Sequence, residues 1–423
     1  MNRATERVLK SVDSSIHELV SFLGELVRTP SVTGREISAQ EVISDKLRDI
    51  GFVVDKWIPK KSDFRGFESF LTEGADFSSR PNVVGTLKGS RGARSGLAFN
   101  GHVDVVPPGD DGLWKYPPWA AKIVSGRLYG RGACDIKAGL AASIFALKAL
   151  VDSDIPLEKD LYIHSVIGEE SGGIGTLSTI LRGYKPEATV ICEPTNLNLL
   201  ISQCGCLMFR IRVRGRAAHG ASSYLGVSAV EKFQPILTGL IELESKRNSE
   251  KKSTLFASIP RPVTISVGTV RAGDWDSTVP EELVAEGRYG VWPGETLAHA
   301  RKEFVEKIRE VTKVDAWMRS HPPIVEWFGP QWESCEIPLN HWLVQMVSAS
   351  YRDTFRKLAP VGGEQAGTDM RLYTSICKSP AVLIGPGDLR VAHFRDEYVP
   401  IKDVIRACKL YAVTALKYEN TSF

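Results

Sequence analysis

The sequence predicts an α/β protein with a smaller α+β domain inserted into it. Short β-rich segments alternate with helical segments over residues 82–198, as the strands and crossover helices of one sheet do. Over residues 206–320 the order changes to β-α-β-β-α-β, which is typical of a compact two-layer unit. The length of 423 residues also exceeds what one ordinary hydrophobic core organises. The predicted division is therefore 1–205, 206–320 and 321–423, with the first and last segments forming one domain.

Apolar periodicity and the positions of glycine and proline predict the elements of the first segment. Residues 12–28 and 37–51 have apolar residues at helical spacing, and they stop before Pro30 and at Gly51. Residues 59–80 have no clean period and are predicted to be an irregular insertion. Strands are predicted at 52–58, 82–89, 96–106, 160–168 and 188–194, and helices at 135–153 and 175–183.

The same rules predict the elements of the other two segments. Alternating apolar residues predict strands, and apolar residues at helical spacing predict helices. In the inserted segment, strands are predicted at 206–215, 261–270, 281–291 and around 314–328, and helices at 226–246 and 295–313. Residues 338–423 have a mostly helical pattern with one buried strand in "AVLIGPG" (381–387), and they are expected to return to the first domain.

The composition indicates a globular protein without a nucleic-acid or membrane partner. Hydrophobic residues make up 43% and charged residues 24% of the chain, and the net charge of +3 is small and evenly spread. No run of about 18 apolar residues and no signal-peptide pattern occurs. The cysteines number seven, an odd count, and form no CxxC pair. They are predicted to be reduced thiols, and the predicted location is the cytoplasm.

A histidine and an aspartate lie two residues apart at the end of the apolar segment "GLAFNGHVDVV". Positions i and i+2 of a strand face the same side, so His102 and Asp104 are expected to be neighbours. A carboxylate beside a histidine matches the arrangement that orients a metal-bound imidazole. Taken alone, however, the pair is more often an ordinary polar strand end.

Acidic residues follow other apolar strands in the same way. Glu169 and Glu170 in "VIGEESGG" are adjacent and would repel each other unless a cation lies between them. Metal hydrolases use one carboxylate as a ligand and another as a general base. The alternative explanation for this pair is a solvated strand end. Asp135, at the start of the predicted helix 135–153, is a further candidate ligand, and the alternative for it is a helix N-cap. Glu193 in "VICEPT" and His393 in "AHFRDE" also follow buried strands.

Two histidines and four carboxylates at successive strand ends are an unusual combination. Imidazole mixed with carboxylates, and no cysteine in a plausible ligand position, suits a hydrolytic zinc-type site with one metal or two.

Two further residues are candidates for contacts with a substrate. His219, in "VRGRAAHGASS", lies in the inserted segment and reaches such a site only if that domain closes over it. Arg371, in "GGEQAGTDMRLY", follows a glycine-containing loop, where a guanidinium could bind a substrate carboxylate. On spacing alone, an ordinary surface position is an equally frequent explanation for each. His164, inside a predicted strand, is assigned a structural role.

Seven short motifs are spread over residues 101–397, namely "GHVDVVP", "GRGACDIKAG", "GEESGG", "EPTN", "AAHGA", "GTDMR" and "GPG…AHFRDE". In this order they resemble the dinuclear-zinc family of acetylornithine deacetylase, succinyl-diaminopimelate desuccinylase, the aminoacylases and carboxypeptidase G. The resemblance covers nearly the whole chain. It implies a zinc-exopeptidase-like α/β/α catalytic domain with a mixed sheet, into which residues 206–320 insert a ferredoxin-like lid and dimerisation domain.

The resemblance implies a centre of two divalent metal ions, zinc or cobalt, and assigns ligands to it. Asp135 would bridge both ions. His102 and Glu193 would complete one site, and Glu170 and His393 would complete the other.

The resemblance also assigns roles in the chemistry. Glu169 would be the general base that takes a proton from water and passes it to the leaving amine, while Asp104 would orient His102. His219 resembles the residue that reaches across a homodimer to stabilise the tetrahedral oxyanion. Arg371 resembles the residue that binds a substrate carboxylate.

Three departures from the family's pattern bear on the site and its substrate. "KAG" (137–139) has an alanine where the family usually has glycine, and this methyl group is expected to be tolerated. "WDSTVP" (275–280) lacks an asparagine that many members carry there, so a substrate contact is lost or is supplied by Ser277 or Thr278. Glu193 stands where the family's aminopeptidases tend to have aspartate, which favours deacylase or carboxypeptidase chemistry.

The sequence therefore predicts a metal-dependent hydrolase of linear amides that acts, as a homodimer, on a small N-acyl amino acid-like substrate. Two alternatives stay open. One is a metallo-carboxypeptidase or dipeptidase, and the other is a non-catalytic protein that uses the metals to hold an amino-acid-like ligand. The presence of Glu169 argues against the second, because a binding protein needs no general base.

Overall fold

The computed structural model describes residues 3–67, 70–71, 76–90, 96–250 and 253–421. The chain divides into two compact units, the first formed by Met1–Ile201, Ile337–Gly362 and Thr368–Phe423 and the second by Ser202–Glu336 and Gly363–Gly367. The predicted division at residues 205 and 320, and the lid and dimerisation roles of 206–320, stay predictions. Within the described part of the chain, no helix combines the length and the apolar character that crossing a membrane requires.

Helices and short strands alternate through the first unit. Its helices are α1 (Arg3–Ser14), α2 (Ile16–Arg28), α3 (Ile37–Ile50), α4 (Ala138–Asp152), α5 (Ile174–Leu181), α9 (Trp342–Phe355) and α10 (Ile401–Glu419). Its strands are β1 (Val53–Trp57), β2 (Asn82–Leu87), β3 (Gly96–His102), β4 (Lys122–Val124), β5 (Arg127–Tyr129), β6 (Asp160–Val166), β7 (Ala188–Ile191), β15 (Ala381–Leu383) and β16 (Tyr398–Pro400). Strands β8 (Leu199–Gln203) and β14 (Val361–Glu364) run across the boundaries between the units.

The main sheet has a parallel centre and antiparallel margins. Its strand order includes β1-β2-β6-β3-β7-β15-β8. Strand β3 pairs in parallel with β6 and β7, and β15 pairs in parallel with β7. Strands β1, β2 and β8 join antiparallel. The predicted α/β class with a mixed sheet is confirmed.

Helix α4 is apolar on nearly all sides because it is buried on nearly all sides. It contacts β3, β6, α1, α2 and α10, and almost every side chain from Ala138 to Leu150 is buried. Just before it, Lys137 is also buried, and its ammonium group donates to the carbonyl oxygens of Leu26 and Thr29 at 2.8 and 2.9 Å. These bonds satisfy carbonyl groups at the C-terminal end of α2, where a positive charge is favourable.

The second unit has one antiparallel sheet with helices packed on it. Its elements are β9 (Gly205–Arg214), α6 (Ala229–Ser249), β10 (Ile265–Ala272), β11 (Glu282–Val291), α7 (Leu297–Thr312), α8 (Ala316–Ser320), β12 (Ile324–Trp332) and β13 (Cys335–Glu336). The strand order β10-β11-β9-β12 is that of a ferredoxin-like unit. Alternate residues of β9, such as Phe209 and Ile211, are buried, and the Phe209 ring packs on Phe304 of α7 at 4.7 Å between centroids.

The structure differs from the sequence predictions at several boundaries. The helix predicted at 12–28 is two helices separated at Ser15. The strand predicted around 314–328 is wrong at its start, because residues 316–320 form α8 and the strand begins at Ile324. The predicted irregular segment 59–80 lies partly outside the described residues, and its described part includes a 3-10 turn over Lys61–Phe64.

Candidate metal centre

The parallel strands bring the predicted site residues to one edge of the main sheet. Carboxyl ends of parallel strands meet at the same edge, and polar side chains that follow them converge there. His102 is the last residue of β3, Glu169 and Glu170 follow β6, and Glu193 follows β7. His393 lies in the loop after β15, which is parallel to β7.

Asp135 lies between the two histidines. It belongs to a turn, Ala133–Lys137, in which its own φ of −112° and ψ of 93° are not helical, so the predicted helix 135–153 begins at Ala138 instead. One oxygen of Asp135, Oδ1, is 3.2 Å from Nε2 of His102, and the other, Oδ2, is 3.3 Å from Nε2 of His393. Nε2 of His393 is also 3.0 Å from Oε1 of Glu170. Asp135 thus presents one oxygen to each imidazole.

Two further acids, Glu169 and Glu193, lie near the imidazole of His102. Oε2 of Glu169 and Oε1 of Glu193 are each 4.0 Å from Nε2 of His102. Potential donor atoms of His102, Asp135 and Glu170 all lie within 4.8 Å of one another. Imidazole nitrogens with carboxylate oxygens, and no cysteine sulfur among them, are a donor set that fits divalent cations of the zinc type.

The electrostatics of this cluster also fit a bound cation. Burial raises the pKa of the Glu169 and Glu193 carboxyls well above their usual range, because neighbouring acids and low polarity both disfavour the anions. Burial alone would lower the pKa of His102, but its hydrogen bond with Asp135 and the surrounding carboxylates raise it well above the usual value. Hydrogen bonds with Asp135 and Glu170 raise the pKa of His393 to about 10. A positive charge is therefore favoured among these carboxylates.

The contact that orients His102 comes from the backbone. Nδ1 of His102 is 2.8 Å from the main-chain carbonyl oxygen of Asp104 and 3.7 Å from its carboxylate. The Asp104 carboxylate instead accepts hydrogen bonds from the Thr33 hydroxyl at 3.1 Å and from the Glu169 backbone N–H at 3.2 Å. A carbonyl fixes an imidazole as a carboxylate does. Asp104 therefore contacts both the histidine and the acid proposed as the base.

Arg371 and His219 lie in different surroundings. Arg371 is buried, and its guanidinium donates to the carbonyl oxygens of Gly172 at 2.8 Å and Thr368 at 3.4 Å. His219 lies in the second unit, where it is exposed and its Nδ1 accepts a hydrogen bond from the Ala221 N–H at 3.1 Å. Their roles toward a substrate stay predictions.

Sequence reasoning missed two buried charged residues beside the cluster. Glu397 accepts hydrogen bonds from the backbone N–H groups of Cys134 and Asp135, and it pairs with Arg131. The "GRG" and "AHFRDE" motifs contain both residues, so their position was visible, but their pairing was not.

Asp369 is another buried acid near the cluster that sequence reasoning did not identify. It is buried, and one of its oxygens accepts a hydrogen bond from the Thr176 hydroxyl at 2.6 Å. Among the described residues, its other oxygen has no hydrogen-bond partner. Its negative charge adds to the causes that raise the pKa of Glu169.

The mixed sheet and the His–carboxylate cluster at its carboxyl edge together define the class of protein, a metal-dependent hydrolase. Residues 98–417 match the model of Peptidase family M20/M25/M40, and the chain belongs to that family. The resemblance that the seven motifs suggested is thereby confirmed.

Relatives and solved structures agree with this assignment. N-formyl-4-amino-5-aminomethyl-2-methylpyrimidine deformylase of Bacillus subtilis (strain 168) is 29% identical, over 97% of this chain and 96% of that protein. An M20 family metallo-carboxypeptidase from Sulfolobus solfataricus has the same fold, with a TM-score of 0.74 at 16% identity over 100% of both chains. A dinuclear metal binding peptidase of the same family from Bacillus subtilis gives a TM-score of 0.62 at 14% identity, over 97% of this chain and 100% of that one.

Proposed function

We propose that the protein hydrolyses the amide bond of a small N-acyl compound with the help of two divalent cations. The observation that carries this proposal is the cluster in which Asp135 offers one oxygen to each of two imidazoles. Asp135 would be shared by both cations, with His102 and Glu193 completing one site and Glu170 and His393 the other. Zinc is the first candidate and cobalt the second. Cations in such a site polarise a carbonyl group and lower the pKa of water.

Glu169 is the proposed general base. It lies beside the cluster with 12% of its side-chain surface exposed, and its backbone N–H donates to the Asp104 carboxylate, which holds the turn that carries it. A carboxylate whose pKa lies above its usual range can accept a proton from water and then deliver it to the leaving amine. Glu169 would therefore carry the proton through both halves of the reaction.

The acyl group is proposed to be short. The deformylase name of the Bacillus subtilis relative supports a formyl group, whereas the motif set supports N-acyl amino acids. A panel of N-formyl, N-acetyl and N-succinyl amines, each with and without a carboxylate, separates these substrates. Dipeptides in the same panel test the peptidase alternative. Hydrolysis that a chelator abolishes is expected for at least one N-acyl compound, and its absence throughout would contradict the proposal.

Replacing Glu169 tests the base directly. In Glu169→Gln both cations should remain bound while kcat falls by about three orders of magnitude, because the amide cannot accept the proton. The matched control is Glu419→Gln, a buried acid that accepts hydrogen bonds from the backbone N–H groups of Glu158 and Lys159 at the opposite end of β6. Its kcat should be unchanged. Turnover retained by Glu169→Gln would show that another group is the base.

We also propose that the second unit forms a homodimer. Strand β10 is at one end of its sheet order, and most of its residues are exposed. Helix α6 exposes Val230, Leu237 and Ile241. An open strand edge beside exposed apolar side chains supports pairing with a second copy. Sedimentation of the purified protein as a monomer would contradict this part of the proposal.

A further inference from the structure

Arg131 and Glu397 form a buried ion pair in which almost every polar atom is used. Both are nearly inaccessible, with 2% and 1% of their surfaces exposed. Nη1 of Arg131 donates to Oε2 of Glu397 at 2.6 Å. Oε1 of Glu397 accepts from the backbone N–H groups of Cys134 at 2.8 Å and Asp135 at 3.0 Å. One carboxylate therefore fixes the backbone of the proposed bridging residue.

Arg131 also contacts the loop that carries the other histidine. Nη2 donates to the carbonyl oxygen of His393 at 3.3 Å, and Nη1 is 3.4 Å from that of Phe394. The guanidinium also packs over the Trp114 ring, 5.2 Å from its centroid. The pair thus touches two segments that are far apart in sequence but supply neighbouring site residues.

The loop at His393 needs such support. The φ of His393 is +61°, in the left-handed region that a non-glycine residue adopts only at a cost. Its side chain is half-exposed, so packing restrains it less than it restrains His102. The hydrogen bond from Arg131 to the His393 carbonyl oxygen stabilises this backbone conformation.

We infer that Arg131 and Glu397 are positioning residues that hold Asp135 and His393 at the spacing required for metal binding. The inference rests on the proposed function, since it assumes that these two residues are ligands. Neither Arg131 nor Glu397 would touch a cation or a substrate. Groups that orient ligands in this way typically change metal affinity by about 10- to 100-fold when they are replaced.

Two conservative variants test the inference. Arg131→Lys keeps the positive charge but loses the planar fork that reaches Glu397 and the carbonyl oxygens together. Glu397→Gln keeps the shape, but its NH2 group must then face either Arg131 or the two backbone N–H groups, donor against donor. Each variant should raise the dissociation constant for Co²⁺ by about 10- to 100-fold. Arg131→Lys should weaken Co²⁺ binding at the site of Glu170 and His393 more than Glu397→Gln does, because Arg131 is the residue that contacts His393.

The measurement is a Co²⁺ titration, followed by visible absorption and by competition with a chromophoric chelator, so that no activity is required. The matched control is Arg247→Lys in the second unit, where Arg247 is equally buried and bonded to Glu295 and Glu303. This variant should lose a similar buried fork and bind Co²⁺ as the wild-type protein does. Circular dichroism of each metal-free variant checks that it is folded.

The outcomes separate the inference from the proposed function. If the wild-type protein binds no Co²⁺, the proposed function is contradicted. If it binds two equivalents, and a folded Arg131→Lys or Glu397→Gln binds them with unchanged affinity and spectrum, the inference alone is contradicted. Hydrogen exchange on the metal-free wild-type protein decides the matter if neither variant folds. The amides of Cys134 and Asp135 should be protected, and fast exchange there would overturn the inference.

Discussion

His164 is a buried residue whose protonation is expected to control stability at acidic pH. Its side chain is inaccessible, and Nδ1 is 2.8 Å from the Tyr373 hydroxyl. Among the described residues, Nε2 has no hydrogen-bond partner. Burial lowers the pKa of His164 from 6.5 to about 3, because a charged imidazole would be desolvated there. The structural role that the sequence suggested for His164 agrees with this position.

The sign of the pH effect follows from the direction of this shift. Below pH 6.5 the unfolded chain takes up a proton at His164 that the folded chain does not, so stability falls as the pH is lowered from 6.5 toward 3. Between about pH 7 and about pH 5 this residue alone should cost about 2 kcal/mol.

A His164→Gln variant keeps a hydrogen-bonding group toward Tyr373 but does not titrate. We expect its free energy of unfolding to fall by about 2 kcal/mol less than that of the wild-type protein over the same pH interval. Urea denaturation of the metal-free proteins measures the difference. His17→Gln, on the exposed side of α2, is the control and should behave as the wild-type protein does. Parallel pH dependence of His164→Gln and the wild-type protein would show that His164 is not the group involved.

At the level of single residues, the sequence identified the candidate site residues near strand ends, but it did not identify the hydrogen bonds that support them. His102, Glu170 and Asp135 could be found because each follows or precedes a strongly apolar segment. Glu397 could not, because its hydrogen bond with Cys134 spans 263 positions of the chain. The orienting contact from the Asp104 carbonyl was also invisible, since no sequence pattern distinguishes a backbone oxygen from the carboxylate of the same residue.

At the level of elements, the start of α4 shows why glycine is needed at position 139 of "KAG" (137–139) while alanine is accommodated at position 138. Ala138 is fully buried and its methyl group is accommodated, as expected from the sequence. A Cβ atom on Gly139 would lie 2.1 Å from the carbonyl oxygen of Cys192 and 2.7 Å from its Cβ. The helix can approach the end of β7 this closely only because residue 139 has no side chain.

Gly139→Ala is therefore expected to push α4 away from Cys192, the residue before Glu193. Overpacking of this kind costs about 1–3 kcal/mol, and the displacement should also weaken metal binding. Ala138→Gly is the matched control. It should cost about 2 kcal/mol, through lower helix propensity and the loss of a buried methyl group, and leave metal affinity unchanged. Chemical denaturation and a zinc titration measure both effects, and a Gly139→Ala protein as stable as the wild type would contradict the close approach.

Element boundaries could be predicted where a local signal marks them. Gly51 ends α3 with a φ of 102°, as its position after a periodic segment indicated. The start of α8 carried a similar signal that the strand prediction overlooked, because the Asp315 side chain caps the helix by accepting from the Met318 N–H at 2.8 Å. The short strands β4, β5 and β16 have only three residues each, too few for a period to be detected.

At the level of the whole molecule, the change of pattern near residue 206 predicted a second unit with its own sheet. The observed order β10-β11-β9-β12 agrees with that expectation. Assembly is different, because it depends on surfaces that carry no periodic signal. The proposed action of His219 in a partner subunit therefore needs a test that uses two chains at once.

Mixing two inactive variants provides that test. Glu169→Gln lacks the proposed base and His219→Ala lacks the proposed oxyanion contact, so each homodimer should be inactive. If His219 acts in the partner's site, a mixed dimer has one site with both residues intact. Random assembly then makes half of the dimers mixed, and about a quarter of the wild-type activity should return.

The control separates complementation from carry-over of residual activity. His219→Ala mixed with a chain carrying both Glu169→Gln and His219→Ala has no intact site in any dimer, so no activity should return. If His219 acted within its own chain, the first mixture would also stay inactive, because each site would lack one of the two residues. Equal inactivity of both mixtures, with mixed dimers demonstrated by mass spectrometry, would therefore exclude a shared site. Recovery only in the first mixture requires that each site is completed by two chains.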